Sequence, residues 1–302
     1  MQRENLVTIN QERCTGCGLC TTVCPSRCIA LVGGKARVIA PDSISCGHCE
    51  AICPAQAIRV ENLDDAAGAF ATFTPDTGWM PPGRFNTQQL VRLMASQRSC
   101  RNYSTTPVER DLLEDLVKIG ITAPSGTSSQ RWAFTILPTR ASLEALTPHI
   151  VSFFRSLNRL ASIAPLRAAL KLLGKGELDE YYRRYYQKIH DGIAEWEKTG
   201  EDRLFHGASA AIIVSSRPGA SCPAEDALLA TQNILLGAHS MGLGTCLIGF
   251  AVAAMQKAPK IKKVVGIPAE EPVYAVIAIG HPEETYRVVT RRKPVTIRYF
   301  EG

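Results

Sequence analysis

The 302-residue sequence has no apolar run near the roughly eighteen residues that a membrane-spanning helix needs, so no transmembrane span is expected. Its first residues, Met1-Gln2-Arg3-Glu4-Asn5, lead straight into a strand-like Leu6-Val7-Thr8-Ile9. They hold no apolar stretch of a secretion signal, which makes the cytoplasm the expected compartment. The G-x-G-x-x-G dinucleotide fingerprint is missing, so a Rossmann-type nicotinamide site is not expected. Basic residues outnumber acidic ones only 34 to 28 and are dispersed, apart from Arg183-Arg184 and Arg291-Arg292-Lys293. That distribution argues against a nucleic-acid partner and suits an acidic protein partner or a phosphate-bearing cofactor. No nucleophile stands beside a candidate base, and the lone His281 reads as structural. Beyond residue 53 cysteine is scarce: Cys100, Cys222 and Cys246 are scattered, which suits a reducing compartment and not a disulfide framework.

The remaining eight of the eleven cysteines crowd into the first 53 residues. Cys14-Thr-Gly-Cys17-Gly-Leu-Cys20-Thr-Thr-Val-Cys24-Pro25 has the spacing that holds [4Fe–4S] clusters in bacterial ferredoxins. A tight glycine-containing loop brings three thiolates to three corners of a cubane and aims backbone N–H groups at its sulfurs. In two-cluster proteins the fourth cysteine of each run crosses to the other cluster. A second run, Cys46-Gly-His-Cys49-Glu-Ala-Ile-Cys53-Pro54, meets that requirement. Cys14, Cys17, Cys20 and Cys53 are therefore expected to hold one cluster. Zinc ribbons use paired C-x2-C knuckles and do not show this triple run closed by proline.

The second run departs from the pattern. Ser43 stands where its first thiolate belongs, so Cys24, Cys46 and Cys49 supply only three ligands. Three outcomes are open: Ser43 ligates through oxygen, a nearby thiol substitutes, or the cluster loses an iron and becomes [3Fe–4S]. Cys28, four residues after Cys24, is the favoured substitute because thiolate is the softer ligand. The competing reading is a small buried cysteine with no metal role.

The composition, 45% apolar and 21% charged, is that of a globular chain long enough for about two domains. Residues 1–62 read as two pseudo-repeats, each a cluster loop, a short helix beginning at Cys-Pro, and a strand. Residues 63–84, rich in Pro, Gly and Asp, read as a linker, with Phe73 and Trp79 suggesting that it lies on a surface. A helix is expected over 87–96 with Leu90, Leu93 and Met94 facing inward. Thr106-Pro107-Val108-Glu109 reads as a capping box opening the next helix, which ends near Gly120. A loop of small hydroxyl residues follows, Ala123-Pro124-Ser125-Gly126-Thr-Ser128-Ser-Gln130-Arg-Trp132, then a strand through Phe134. Residues 140–206 keep helical spacing. The apolar runs 210–215 and 273–280 read as buried strands around a long helix over 224–241. Val295-Thr-Ile-Arg-Tyr-Phe alternates like an edge strand.

Four of these stretches together resemble the FMN-dependent nitroreductase family, over about residues 85–302. They are Arg98-Ser99-Cys100-Arg101, the Pro124–Gln130 loop with Trp132, Gly242-Leu-Gly-Thr-Cys-Leu-Ile248-Gly249-Phe, and Arg292-Lys293-Pro294. The N-terminal cysteines resemble its ferredoxin-fused branch. The resemblance implies an α+β fold that dimerises, with the C-terminal tail crossing to the partner and 140–206 a helical insertion over the active site; a helical hairpin packing on the dimer is the equal alternative for 140–206. It implies FMN held by Arg98, Ser99, Arg101, Pro124, Ser125, Gly126, Ser128, Gln130, Ile248, Gly249, Arg292 and Lys293. The chemistry of those residues agrees: arginines with a serine hydroxyl are charge-assisted donors to a phosphate, and glycines let backbone approach a flat ring. Ser128, Arg131 and His281 stand where the family usually has Asn, Pro and Tyr. The implied activity is an oxidoreductase with no protein nucleophile. Electrons pass from a ferredoxin or NAD(P)H through the clusters to FMN, and on to an electron-poor organic acceptor such as a nitro compound. The rival readings are an NAD(P)H-dependent flavin reductase with vestigial clusters, and an electron carrier whose acceptor is another protein.

Overall fold

The protein is described by a computed structural model covering residues 6–302; residues 1–5 of the expected 1–62 module lie outside the described residues. Along the chain, β1 (Val7–Ile9), α1 (Leu19–Thr22), β2 (Ile29–Val32), β3 (Lys35–Val38), α2 (His48–Ala51) and β4 (Ile58–Val60) build a small module with a pseudo-twofold repeat. β1 pairs with β4 and β2 with β3, both antiparallel. Each short helix opens at a left-handed glycine, Gly18 (φ 78°) or Gly47 (φ 76°). The repeats also share left-handed Arg27 (φ 51°) and Gln56 (φ 47°). The helices precede Cys24-Pro25 and Cys53-Pro54 and do not begin there, contrary to the sequence expectation. The reason is steric: proline disfavours the helical region for the residue before it. Gly16 is irreplaceable in this packing, because a Cβ there would lie 1.9 Å from the Gly34 carbonyl oxygen. The module's apolar core is small, centred on Val7, Ile29, Ile58 and Val60, with Cys14, Cys20, Cys28 and Cys49 completing it.

The stretch after β4 docks, though not through the residues expected. Asp115, fully buried, accepts hydrogen bonds from Ala71 N (3.0 Å), Thr72 N (2.7 Å) and Thr72 Oγ1 (2.6 Å), while Lys118 donates to the Ala69 carbonyl. Phe70 and Phe73 stack at 4.4 Å, whereas Trp79 is 84% exposed. Asp115 belongs to the second of two helices that follow, α3 (Thr87–Ser96) and α4 (Arg110–Gly120). Burial alone would raise its pKa. The hydrogen bonds from Thr72 and Ala71 and the Lys118 charge outweigh that and hold it below the usual carboxylate range.

α3 spans the expected residues with Asn86 as its cap, yet none of its side chains is buried. Leu90, Val91 and Met94 remain exposed. The expected capping box at Thr106–Glu109 does not form: Glu109 is the N-cap and makes no side-chain bond. Val108 is instead drawn into the core with Leu113, a hydrophobic staple that delays the helix start.

The main domain is a four-stranded antiparallel sheet in the order β5-β6-β8-β7. β5 (Trp132–Leu137) is followed by the helical stretch α5 (Arg140–Ala161), α6 (Ala164–Leu172), α7 (Glu177–Tyr181), a π-turn at Tyr182–Tyr186, and α8 (Gln187–Thr199). Then come β6 (Ala210–Ser216), α9 (Pro223–Ser240), β7 (Gly244–Leu247), α10 (Gly249–Lys257), α11 (Pro259–Val264) and β8 (Val273–Gly280). Successive strand residues face opposite sides. Ala211, Ile213, Val276 and Ala278 pack with α5, α10 and α11, and Ala210, Ile212, Val214, Ala275 and Ile277 pack with α4 and α9. With both faces covered, β6 and β8 read as unbroken apolar runs. α4 and α9 meet closely at two glycines: a Cβ on Gly120 would lie 2.9 Å from Ile234, and one on Gly237 2.9 Å from Ile119. Beyond β8 the chain is irregular and exposed, so the expected C-terminal edge strand is absent among the described residues.

Candidate functional site: two cysteine cavities and an open sheet edge

Cysteines of the two runs mix in two cavities. One cavity, of about 320 Å³, is lined by Cys14, Cys17, Cys20 and Cys53. A second, of about 300 Å³, is lined by Cys24, Cys28, Ser43, Cys46 and Cys49. Among the described residues no three His, Cys, Asp or Glu side chains converge as they would on a single ion. The thiols ring a space instead, as a polynuclear cluster requires. Backbone N–H groups point at the sulfurs, Ala36 N to Cys14 Sγ at 3.4 Å and Ala57 N to Cys53 Sγ at 3.3 Å. The cavities thus fit [4Fe–4S] clusters in donor type, number and hydrogen bonding.

Arg98, Ser99 and Arg101 lie along the outer edge of β7, which their segment partly covers. Ser99 bridges Thr245, Cys100 N donates to the Thr245 carbonyl at 2.8 Å, and Gln97 Nε2 reaches Thr245 Oγ1 at 3.4 Å. Cys100 is buried beneath, its thiol 3.2 Å from Glu284 Oε2; burial, helped by that carboxylate, pushes it up to about 11. Arg98 and Arg101 themselves are exposed and, among the described residues, neither has a carboxylate partner. At the far end of β7, Ile248 N donates to Val276 O, its carbonyl accepts from α10 and its side chain is buried, so Ile248 shapes the site without a free group to offer a ligand. Gly249 begins α10 with open space where a Cβ would stand. Ala251 and Val252 donate to Ile248 O, which leaves the Gly249 and Phe250 amides at the helix's open end. An edge with two unpaired guanidiniums, a serine hydroxyl and exposed amides fits a phosphate-bearing flat cofactor.

The hydroxyl-rich loop is built by a residue that sequence reasoning missed. Asp226, in the first turn of α9 and buried, accepts from Gly126 N at 2.8 Å and Ser129 Oγ at 3.2 Å, while its own carbonyl accepts from Trp132 Nε1 at 3.0 Å. Thr127, Ser128 and Gln130 are all left-handed, with φ of 50°, 53° and 46°. Gln130 Nε2 donates to Ser128 Oγ, and Gln130 N to Ser125 Oγ. A Cβ on Gly126 would lie 2.5 Å from Ser221 Oγ and 2.8 Å from Cys222 Sγ, so those side chains would have to shift to admit one. Pro124 is exposed at the start of this loop. The only advance signal for Asp226 was an acidic residue just after Cys222-Pro223, favourable at any helix N-terminus.

These groups do not meet within one chain. The Pro124–Gln130 loop feeds β5, one edge of the sheet, and Arg98–Arg101 and Ile248–Gly249 flank β7, the other edge. Three interstrand spacings separate them, about 14 Å. Arg292 and Lys293 lie exposed on the C-terminal tail. Two further features adjoin the β7 edge. His206, left-handed (φ 57°) and partly buried, sits in a turn whose amides at Leu204, Phe205 and Gly207 donate to Asp202. Burial, then the charge of Arg101, hold its pKa below the usual imidazole value. A cavity of about 710 Å³ opens between α5 and α8, walled by Phe154, Trp196 and Phe250 with Lys188 and Arg203 on its rim.

The profile of the nitroreductase family matches residues 94–281, and that of a 4Fe-4S dicluster domain matches residues 6–54. A curated NADH dehydrogenase from Thermus thermophilus is 22% identical over 188 residues, 62% of this chain and 84% of its own length. A 4-nitrobenzoate reductase from a Nocardioides strain is 21% identical over 220 residues, 67% of this chain and 85% of its own. A solved nitroreductase with bound FMN from Bacteroides fragilis is similar with a TM-score of 0.53 at 21% identity, covering 70% of this chain and 99% of that one. That likeness establishes the shared α+β fold. The profile spans more than half of the residues, over both flanks of the open β7 edge, and the chain belongs to the nitroreductase family, with a 4Fe-4S dicluster domain preceding the family fold.

Proposed function

We propose that the protein is a homodimeric, cytoplasmic, FMN-dependent oxidoreductase that takes electrons from a low-potential donor and reduces a small electron-poor organic acceptor, such as a nitro compound. The observation that carries this reading is the clamped linker. Two cysteine-lined cavities are joined to the nitroreductase fold through backbone held by the buried Asp115 carboxylate, so the module is tied to the domain it would feed. When bound, the clusters carry single electrons, and FMN turns single-electron input into two-electron reduction of an organic molecule.

The chain's residues have distinct parts in this. Arg98 and Arg101, joined by Arg292 and Lys293, would hold the phosphate. The Gly249 and Phe250 amides, held in place by Ile248, would receive the ring, and Ser125, Ser128 and Gln130 would donate to its polar edge. Because the last three lie on the opposite sheet edge, a second copy must supply them. The exposed faces of α3 and of the tail, where Phe300 is 95% exposed, are the surfaces such a copy would cover. Burying one large apolar side chain is worth about 1.5–3 kcal/mol, so several together outweigh the cost of association. Phe250 follows Gly249 directly and walls the 710 Å³ cavity, and the acceptor would enter there.

Anaerobic bleaching of the flavin tests the relay. Reduced ferredoxin should bleach FMN in the native protein and fail to do so in Cys20→Ala, which lacks a first-cluster ligand. Equal bleaching of both proteins by NADPH alone would replace the relay with direct nicotinamide reduction.

A further inference from the structure

The pseudo-repeat superposes residues 14–28 on residues 43–57, and the two cysteine cavities can be compared position by position. Cys17 matches Cys46, Cys20 matches Cys49, and Cys24 matches Cys53. Two positions differ, and they differ in opposite senses. Where the first run has Cys14, the second has Ser43. Where the second has Ala57, the first has Cys28. Both members of each pair line a cavity: Cys14 and Ala57 the first, Ser43 and Cys28 the second. The second cavity has therefore lost a thiol on one wall and gained one on another, and each cavity is ringed by four cysteines.

We propose that Cys28 is the fourth protein ligand of the second cluster, replacing the thiolate that Ser43 cannot provide. Its backbone is fixed, since Ile39 N donates to the Cys28 carbonyl at 2.8 Å as an extension of the β2–β3 ladder. The residue is 1% exposed, so its sulfur has the cavity and its neighbours to face, not solvent. That sulfur lies 3.4 Å from the sulfur of Cys24, a ligand of the same cluster by the crossing rule. Ser43 is the weaker candidate on two counts. Its hydroxyl oxygen already accepts from Ser45 N at 3.1 Å, in a local turn. Thiolate is also the better iron ligand, and a thiol gives up its proton far more readily than an aliphatic hydroxyl. Binding at Cys28 forms one Fe–S bond and releases the thiol proton, with no change of oxidation state.

The test is iron and sulfide analysis with EPR of the anaerobically purified full-length protein. Cys28→Ala should lose one iron per chain and show an oxidised three-iron signal absent from the native protein. Ser43→Ala should leave the iron count and spectrum as they were. Cys28→Ala/Ser43→Cys should regain the lost iron, because the thiol then returns to the position it holds in the first run. That rescue separates ligation from a packing defect at a buried site. An unchanged iron count in Cys28→Ala would overturn the proposal. Loss of iron in Ser43→Ala with Cys28→Ala intact would assign the ligand to the serine oxygen instead.

Discussion

The two halves of this molecule assemble their sites by opposite means. The cysteine module closes both cavities within one chain, from loops a few residues long and a fold that repeats itself. The nitroreductase domain distributes the residues proposed to hold FMN over both edges of a four-stranded sheet and an exposed tail, and leaves them apart. A site made of local spacing can be completed by one point change, the role proposed for Cys28 in place of Ser43. A site made of sheet edges would need a neighbour to complete it. The first is a matter of ligand chemistry and the second of assembly, so different perturbations break them.

The largest effect should come from the module. Its apolar core is small, and a structural metal contributes on the order of 10 kcal/mol in small metal-held domains, about the whole stability of an ordinary one. Removing iron with a chelator under denaturant-free conditions should unfold residues 6–60 and leave the sheet domain folded. Limited proteolysis with mass mapping reads this directly; a module still resistant after demetallation would mean that its packing suffices. On the other side of the comparison, Ile297→Asp with Phe300→Asp should leave the fold intact and weaken the dimer. Two lost burials cost about 3 kcal/mol or more, at least two decades in dissociation constant by sedimentation. Unchanged association would place the interface elsewhere.

The same contrast governs what the sequence disclosed. The cysteine-lined cavities were legible because cubane geometry dictates residue spacing over short distances, and Cys53 lines the first cavity as that spacing leads one to expect. β6 and β8 were legible because two covered faces leave an unbroken apolar run. The helix α3 was placed correctly and its apolar stripe recognised, but a stripe does not say what covers it, and within one chain the contact with α9 leaves Leu90, Val91 and Met94 exposed. Asp226, Asp115 and His206 were not legible. Each acts through a partner far away in sequence or through a backbone turn, and a single carboxylate or imidazole carries no mark of that. The capping box failed for a related reason: a tertiary contact of Val108 overrode a local pattern.

Asp115 joins the two halves, and its loss should be intermediate in size. Asp115→Ala removes a buried, charge-assisted acceptor and strands the Ala71 and Thr72 amides, at a cost of about 3 kcal/mol. Calorimetry should show the sheet domain melting earlier while the iron content stays the same. Because its folded pKa is depressed, the stabilisation is present above the unfolded value near 3.8 and is lost as pH falls through the still lower folded one. In the native protein the linker should therefore loosen only in strong acid. Loosening near neutrality would mean that another group fastens it.

His206 offers the smallest and most specific test, because it changes no contact of the fold. Its imidazole is partly buried near Arg101, with Lys188 adding to the positive field and Asp202 opposing it. The folded pKa lies below the ordinary 6.5, so the neutral ring favours folding above that value, and the stability falls as pH drops toward the folded pKa. A phosphate held by Arg98 and Arg101 would reverse the local field, since a nearby anion favours the protonated ring. NMR titration of His206 should thus show an upward shift when FMN binds and no comparable shift with riboflavin, which has the same ring system and no phosphate. Arg101→Ala should by itself raise the pKa in the flavin-free protein, by removing the cation, and should weaken FMN far more than riboflavin. The loss of one charge-assisted bond is worth about 1.5–3 kcal/mol, one to two decades in affinity. A His206 resonance indifferent to FMN would put the phosphate away from this edge, and with it the assignment of Arg98 and Arg101.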